Sequence, residues 1–321
     1  MYELYFWHLT YKGVKQLKIL ITGVAGFIGS NLAELLIKNN FEVIGIDNLS
    51  YGVSEQIPKG VVFHKEDIRN NEIYHLFSDV EYVFHLAAKN SIIDCENDPE
   101  ETFQINVNGT INVFNAAIKN NVKKVIYAES SAVYEGSKNL PSIETEVSPK
   151  SVYAESKMTT NRIAEEFSKS KGLVTTGLRY FNVYGPKQDY RRTIPPVFSA
   201  FIINLLKGHQ PIIFGDGSKK RDFIYVDDVN DFHLMCMKDN KTDNEVFNIG
   251  SGKNYSIKHI FNSIKNILNV DINPIFGKNL DFEAQENLAN IDKANSIGWS
   301  PKIDLNTGLK KSIDYIKEHV I

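Results

Sequence analysis

Leu17-Lys18-Ile19-Leu20-Ile21-Thr22-Gly23-Val24-Ala25-Gly26-Phe27-Ile28-Gly29 is the stretch that decides the fold. Its apolar run through Ile21 reads as a strand buried on both faces, as strands of parallel sheets are. From Gly26 to Asn39, Phe27, Ile28, Leu32, Leu35 and Leu36 recur at helical spacing. A glycine turn between buried strand and helix gathers backbone N–H groups at the positive end of a helix dipole, where a pyrophosphate binds well. Side chains at the crossing would block that approach, which explains Gly23, Gly26 and Gly29. The spacing is GxxGxxG, and Ala25, Phe27 and Ile28 share the turn and are expected to border a dinucleotide.

Outward from that turn, strand-like and helical runs alternate. Residues 42–47 form a second candidate strand ending on Asp47, with further strands expected at 61–63, 82–86, 124–128 and 174–179. Helical patterns lie between them, including 100–120 and 151–171. Strands separated by helices need right-handed crossovers, so the fold class is α/β with a doubly wound parallel sheet. After Asn182, Pro186, Pro195, Pro196, Pro211 and the turn Gly215-Asp216-Gly217 break the pattern. The expected division is a larger domain of 17–182 with about 225–249, and a smaller substrate-covering α/β domain of 183–224 and 250–321. Residues 1–16 are an extension without a basic start, an apolar centre or a small-residue cleavage pattern, and no function is assigned to them.

Composition excludes several classes. At 321 residues and 42% hydrophobic, the chain can bury a large core and exceeds one small domain. A formal charge of −3 offers no basic field for nucleic acid, and Lys123-Lys124 and Lys219-Lys220 are isolated pairs. No apolar stretch reaches the roughly 20 residues that cross a bilayer. Two cysteines, Cys95 and Cys236, make a disulfide unexpected and fit a reducing cytoplasm. His8, His85 and Cys95 lack ligand spacing, so no metal is expected.

Asp47 stands where a carboxylate at the end of the second strand accepts hydrogen bonds from adenosine ribose hydroxyls. The same charge repels a 2′-phosphate, which predicts NAD over NADP, with Asn48 beside it. Asp67-Ile68, after the third strand, is either an adenine contact or an ordinary loop carboxylate. Tyr153 and Lys157 are i and i+4 and share a helix face. An ammonium there stabilises a phenolate and is expected to lower the tyrosine from its usual pKa of about 10. That phenolate takes the proton of a sugar hydroxyl as hydride leaves, with Ser130 hydrogen-bonding the same oxygen.

The ordered motifs resemble those of the extended short-chain dehydrogenase/reductases, in particular the NAD-dependent nucleotide-sugar epimerase/dehydratase group. The resemblance is carried by 22–29, Asp47-Asn48-Leu49, His85-Leu86-Ala87-Ala88, Asn106-Val107-Asn108-Gly109-Thr110, Ser130-Ser131-Ala132-Val133-Tyr134 and Tyr153–Lys157. It continues through 179–186, 221–229 and 247–252, and so covers roughly 17–315. It implies a Rossmann-type fold, with Leu86, Ala87, Ala88 and Asn106 as further cofactor contacts. It also implies Ser130, Tyr153 and Lys157 as catalytic residues, Lys157 holding the nicotinamide ribose as well. Ser131, Asn182 and Arg221 are the implied substrate contacts, the last two at the diphosphate. For Arg221 a salt bridge to Asp222 is the alternative, and for Asn182 a turn role before Pro186. The helices over 100–120 and 151–171 resemble those that pair in homodimers of this family.

Dehydratases and decarboxylases of the group are similar in carrying acids just after the catalytic hydroxyl, where this chain has Ser131 and Ala132. The expected reaction is therefore 4-epimerisation of a UDP-hexose through a transient 4-keto sugar. A net dehydrogenase or keto-reductase, a 4,6-dehydratase and a non-catalytic NAD-sensing protein are the alternatives. The chain departs from the group at Glu129, Glu135 and Asp94. It also lacks arginine throughout 272–291, leaving Lys278, Arg191 and Arg192 as candidate substitutes at the diphosphate.

Overall fold

The computed structural model describes residues 16–191, 195–279 and 284–321. The expected extension therefore lies outside the described residues except for Gln16, as does Arg192. Strands β1 (Lys18–Thr22), β2 (Glu42–Ile46), β3 (Val61–His64), β4 (Tyr82–His85), β5 (Lys124–Ser130) and β6 (Thr175–Tyr180) form one sheet with β10 (Glu245–Ile249). Between β6 and β10 come β7 (Asn182–Tyr184), β8 (Ile212–Phe214) and β9 (Lys220–Tyr225); β11 (Asn254–Ser256) and β12 (Ile275–Gly277) follow. The large sheet runs β10-β6-β5-β4-β1-β2-β3, and every pairing in it is parallel. Strand order reverses between β1 and β4, which opens a crevice at the strands' carboxyl ends.

Alternation along the strands builds two cores, one on each face. Ile19 and Ile21 of β1 join Leu32 and Leu36 of α1 (Phe27–Lys38). Leu20 between them points the other way, into a core with Val113 and Phe114. These two belong to α4 (Gly109–Lys119), which follows α2 (Ile92–Asn97) and α3 (Pro99–Phe103). The first core also takes Val229 and Phe232, which lie between β9 and β10 on α7 (Val226–Lys238), and the second takes Ala164 of α5 (Val152–Lys171).

A single helix over 100–120 is not what forms. A π turn, Gln104–Asn108, separates α3 from α4. The carbonyl of Asn106 accepts from the hydroxyls of Thr110 (2.5 Å) and Thr160 (3.3 Å), so polar side chains compete with the regular ladder there.

A third core gathers Tyr184, Phe198, Phe201, Ile213, Tyr225, Phe261 and Ile313. It lies among α6 (Val197–Leu206), α8 (Ile257–Leu268), α10 (Leu305–His319) and two small sheets, β11-β9-β7 and β12-β8. The segment 250–321 does not lie wholly with this core. Ala294, on α9 (Asp292–Ser296), and Trp299 pack into the first core, where Trp299 meets Phe232 edge-on with ring centroids 5.2 Å apart.

Candidate active site

A cleft of about 560 Å3 opens where the crevice meets the third core. One wall is the β1–α1 turn. Gly23 has φ +76°, and a Cβ on it would lie 2.7 Å from the amide nitrogen of Ala87 in the loop after β4. The two loops flanking the switch point thus touch through main chain. A Cβ on Gly29 would lie 2.2 Å from the Gly23 carbonyl oxygen, so α1 also sits hard against the turn. The cap of α1 is Gly26, with no side-chain hydrogen bond and no acid in the first turn, which leaves the helix end receptive to an anion.

Ala25, Phe27, Ile28, Asp47, Asn48, Asp67, Ile68, Leu86, Ala87 and Ala88 line the same cleft. Asp47 accepts from the Ala25 amide (3.0 Å) and the Leu49 amide (2.8 Å), which fixes its carboxylate toward the turn. Burial raises its pKa, and those two amides oppose the rise. Asp67 is held by Arg69 through a two-toothed pair of 2.9 and 2.7 Å, and Asn48 donates to it at 2.9 Å. Arg69 keeps that carboxyl down at about 2. Asn106 does not reach the cleft wall. It is buried, receives the Lys89 amide (2.8 Å), and donates to the Lys89 carbonyl (3.0 Å) and the Ser156 hydroxyl (2.9 Å). Its work is to brace the Ala88–Lys89 loop from behind.

The opposite wall holds Ser130, at the end of β5, and Tyr153 and Lys157, from the first turns of α5. Ser151 caps that helix by accepting from the Ala154 amide, so the positions of Tyr153 and Lys157 are set by an ordinary N-cap. Ser130 hydrogen-bonds the Tyr153 phenol. Lys157 donates to the Ala128 carbonyl at 2.9 Å.

The electrostatics differ from the expectation. Burial pushes the Tyr153 phenol up to about 12; Ser130 opposes the rise, and Cys95, Glu129 and Glu135 add to it. Burial pulls Lys157 down to about 8, against the pull of Glu129. The i, i+4 spacing foretold that both side chains would reach the cleft from one helix face. It did not register the acids that the fold packs around them.

At the other end, Asn182 opens β7 and donates to the Asp222 carbonyl (2.8 Å) and to Asn287 (3.2 Å). Arg221 lines the cleft and donates to the Lys220 carbonyl (2.9 Å). The alternative pairing with Asp222 does not form through the acid's side chain. That carboxylate is fully buried and takes the amides of Ser251, Gly252 and Ala289. Ser131 is in the cleft wall. Arg191 is exposed and tied to Asp189, and Lys278 is exposed, so neither belongs to the wall.

Sequence reasoning missed Asn287, which binds both Asn182 and the Asp222 amide from an irregular segment without periodicity. It noticed Glu135 only as a departure. The side chain lies in the cleft wall, hydrogen-bonded by Ser151 and the Lys150 amide, with its pKa raised by burial. Asp94 lies outside the wall, on α2.

A parallel doubly wound sheet, a glycine turn at its switch point and facing Ser, Tyr and Lys side chains define the extended short-chain dehydrogenase/reductase class. The chain belongs to the NAD dependent epimerase/dehydratase family, whose model matches residues 19–250. It is similar to the UDP-glucose 4-epimerase of Thermotoga maritima solved with UDP-glucose, at TM-score 0.91 and 36% identity over 95% of this chain and 100% of that one. The UDP-N-acetylglucosamine 4-epimerase of Methanobrevibacter ruminantium, solved with UDP-N-acetylmuramic acid, has TM-score 0.91 and 32% identity over 96% and 100%. The UDP-glucose 4-epimerase of Mycolicibacterium smegmatis is 30% identical over 311 residues, 94% of this chain and 99% of the relative.

Proposed function

We propose that this protein is an NAD-dependent UDP-sugar 4-epimerase. The observation that carries the reading is the convergence of Ser130, Tyr153 and Lys157 on the cleft that also holds the glycine turn and Asp47. The residues fit the cofactor. The turn is closed to any added Cβ at Gly23 and Gly29, and Asp47 is fixed beside it to meet ribose hydroxyls. When bound, NAD supplies the hydride acceptor, its reduced form the donor of the return step, and a positive charge that favours the phenolate.

The chain's own residues do the rest. Tyr153 takes the proton of the sugar 4-hydroxyl and later returns it, and Ser130 hydrogen-bonds the same oxygen. Lys157, as a cation, stabilises the phenolate and holds the nicotinamide ribose. Asn182 and Arg221 meet the diphosphate, for which a guanidinium fork is well shaped. Turning the 4-keto sugar over about this anchor lets hydride return to the other face. Ser131 and Ala132 offer no acid for elimination, and Glu135 is engaged by Ser151 and Lys150 at the start of α5.

The division into a cofactor domain (17–182 with about 225–249) and a sugar domain (183–224 and 250–321) is part of the same proposal, with Trp299 returning to the first core. So is a homodimer through the helices of 100–120 and 151–171, which light scattering of the purified protein tests. Cys95 and Cys236 are free and buried, in keeping with a reducing cytoplasm, and among the described residues no helix is long and apolar enough to cross a membrane. Mass spectrometry and NMR of products from UDP-hexoses test the reaction. A 4-epimer without net NADH supports it; a 4-keto-6-deoxy product or stoichiometric NADH refutes it.

A further inference from the structure

Between β2 and β3 the chain from Asp47 to Gln56 runs along the cofactor cleft, and Asp47, Tyr51, Gly52, Val53 and Gln56 all line it. Beyond Asp47, this strap has no part in the mechanism above. It is fastened at three points. At its start the Asp47 carboxylate accepts from the Ala25 amide (3.0 Å), and in its middle the Val53 amide donates to the Ala25 carbonyl (2.9 Å). No side chain fits between strap and glycine turn there, because a Cβ on Gly52 would lie 2.7 Å from that of Ala25 and 2.9 Å from an Asp47 carboxylate oxygen. At its far end, Nε2 of Gln56 donates to the Lys187 carbonyl (3.1 Å), in the loop that follows β7.

That loop is itself held to α1. Nδ2 of Asn31 gives one hydrogen to the Phe27 carbonyl (2.8 Å) and the other to the Pro186 carbonyl (3.0 Å). Lys187 has φ +67°, pairs its ammonium with Glu34 at 3.0 Å and turns its carbonyl to Gln56. A lysine in the left-handed region is strained, and it stays there only where its surroundings hold it. Strap, loop and α1 thus close into a ring around the glycine turn offered to the pyrophosphate. The joins of this ring are unequal. Asp47 and the Lys187–Glu34 pair bring charge, Val53 is joined through main chain, and Asn31 makes two bonds. The Gln56–Lys187 join is one neutral hydrogen bond, so the ring opens there first.

A second hollow, of about 490 Å3, lies on the outer side of that join, with Glu34, Lys38, Lys187, Tyr315 and His319 in its wall. Among the described residues, Gln56 is the one side chain that lines both this hollow and the cofactor cleft. The join is therefore a partition, and parting it connects the cleft with the outer hollow.

The geometry points to Gln56 as a positioning residue, a clasp that holds the 47–56 strap closed over the cleft and thereby gates the entry and release of NAD. The inference rests on the NAD site and is independent of which sugar is turned over. A clasp that holds the strap, and not the cofactor, governs how often the cleft opens whether or not NAD is inside. Loosening it speeds entry and release by the same factor and leaves affinity in place. Loss of one neutral hydrogen bond raises the open fraction by about 2- to 10-fold.

The experiment mixes the NAD-loaded wild type, Q56A and Q56M with excess isotope-labelled NAD, and uptake of label follows release of the original molecule. Equilibrium dialysis against labelled NAD gives Kd. Each variant is expected to exchange about 2- to 10-fold faster than wild type, with Kd changed by less than about twofold. Methionine keeps the length of the side chain without its donor and alanine removes both, so a folding defect in one leaves the other to decide. Exchange at the wild-type rate in a folded variant overturns the proposal. Faster exchange matched by an equally weakened Kd overturns it too, since Gln56 would then be holding NAD itself. A wild type that neither carries nor takes up NAD removes the cofactor reading and the clasp together, whereas unmoved variants beside an exchanging wild type remove the clasp alone.

Discussion

Gly29→Ala sets two effects against each other. Alanine ordinarily stabilises a helix by about 1 kcal/mol relative to glycine. At Gly29 the new Cβ would lie 2.2 Å from the Gly23 carbonyl oxygen, 2.9 Å from its carbon and 3.0 Å from the Val24 Cα. All three are main-chain atoms, so no rotamer change relieves the contact. Ordinary contact begins at 3.4 Å, and the shortfall at the oxygen is more than an ångström. Forced overpacking of this kind costs about 1–3 kcal/mol, occasionally more, so strain wins by roughly 2 kcal/mol. At roughly 2.1 cal/mol/K of unfolding entropy per residue, a chain of 321 residues then melts about 3 °C lower. The strained turn also carries the N–H groups offered to the pyrophosphate, so bound NAD should be lost. Gly26→Ala is the control, because its Cβ would meet only the Gly23 oxygen, at 3.2 Å. It should melt within about 2 °C of wild type yet still lose NAD, since Gly26 stands in the cleft wall at the helix end. Differential scanning calorimetry and release of cofactor from denatured protein read both quantities. G29A with wild-type melting and full NAD content would refute the reasoning.

Three further outcomes follow from the site. Tyr153→Phe should lower kcat by about 10^2–10^4-fold while NAD content stays at the wild-type level; near-normal turnover would remove Tyr153 from its role. Glu135 stands in the wall beside Tyr153 with no arginine in 272–291 to answer an acidic sugar, so UDP-glucuronate should be a poor substrate. Glu135→Gln should raise its kcat/KM relative to UDP-glucose about tenfold, the ~1.4 kcal/mol expected of one like charge. A ratio unchanged by the substitution would sink that assignment. His85 and His233 are fully buried, and burial lowers each to about 3. Their unfolded forms bind protons from about pH 6.5 downward and the folded forms do not, so stability is complete above that pH and falls below it. Glu129 and the buried acids Asp47, Glu135, Asp222 and Asp228, all raised by burial, work the opposite way and offset part of that loss. Urea unfolding at pH 7 and pH 5 measures it, and equal stabilities would contradict the burial of both rings as neutral groups.

Much of this was legible in the sequence because short-range chemistry sets it. A strand, a glycine turn and an amphipathic helix in succession put Gly23, Gly26 and Gly29 at a crossing, and Asp47 had to follow β2. The i, i+4 spacing put Tyr153 and Lys157 on one face of α5. Other features had no local signal. The π turn at Gln104–Asn108 sets the Asn106 carbonyl against Thr160 of another helix, and the Asn106 side chain braces the loop at Lys89. Asn287 and the buried amide cluster around Asp222 join segments up to 67 residues apart. Charge state was the least legible property. Whether Tyr153 is pulled down by Lys157 or pushed up depends on which acids share its enclosure and on how completely water is excluded. The order of residues along the chain determined the fold, the cofactor turn and the identity of the reacting groups, since each follows from spacing and backbone geometry. Only the tertiary structure decided their protonation, because pairing Glu129 with Arg179 and shutting both from solvent requires strands β5 and β6 to lie side by side.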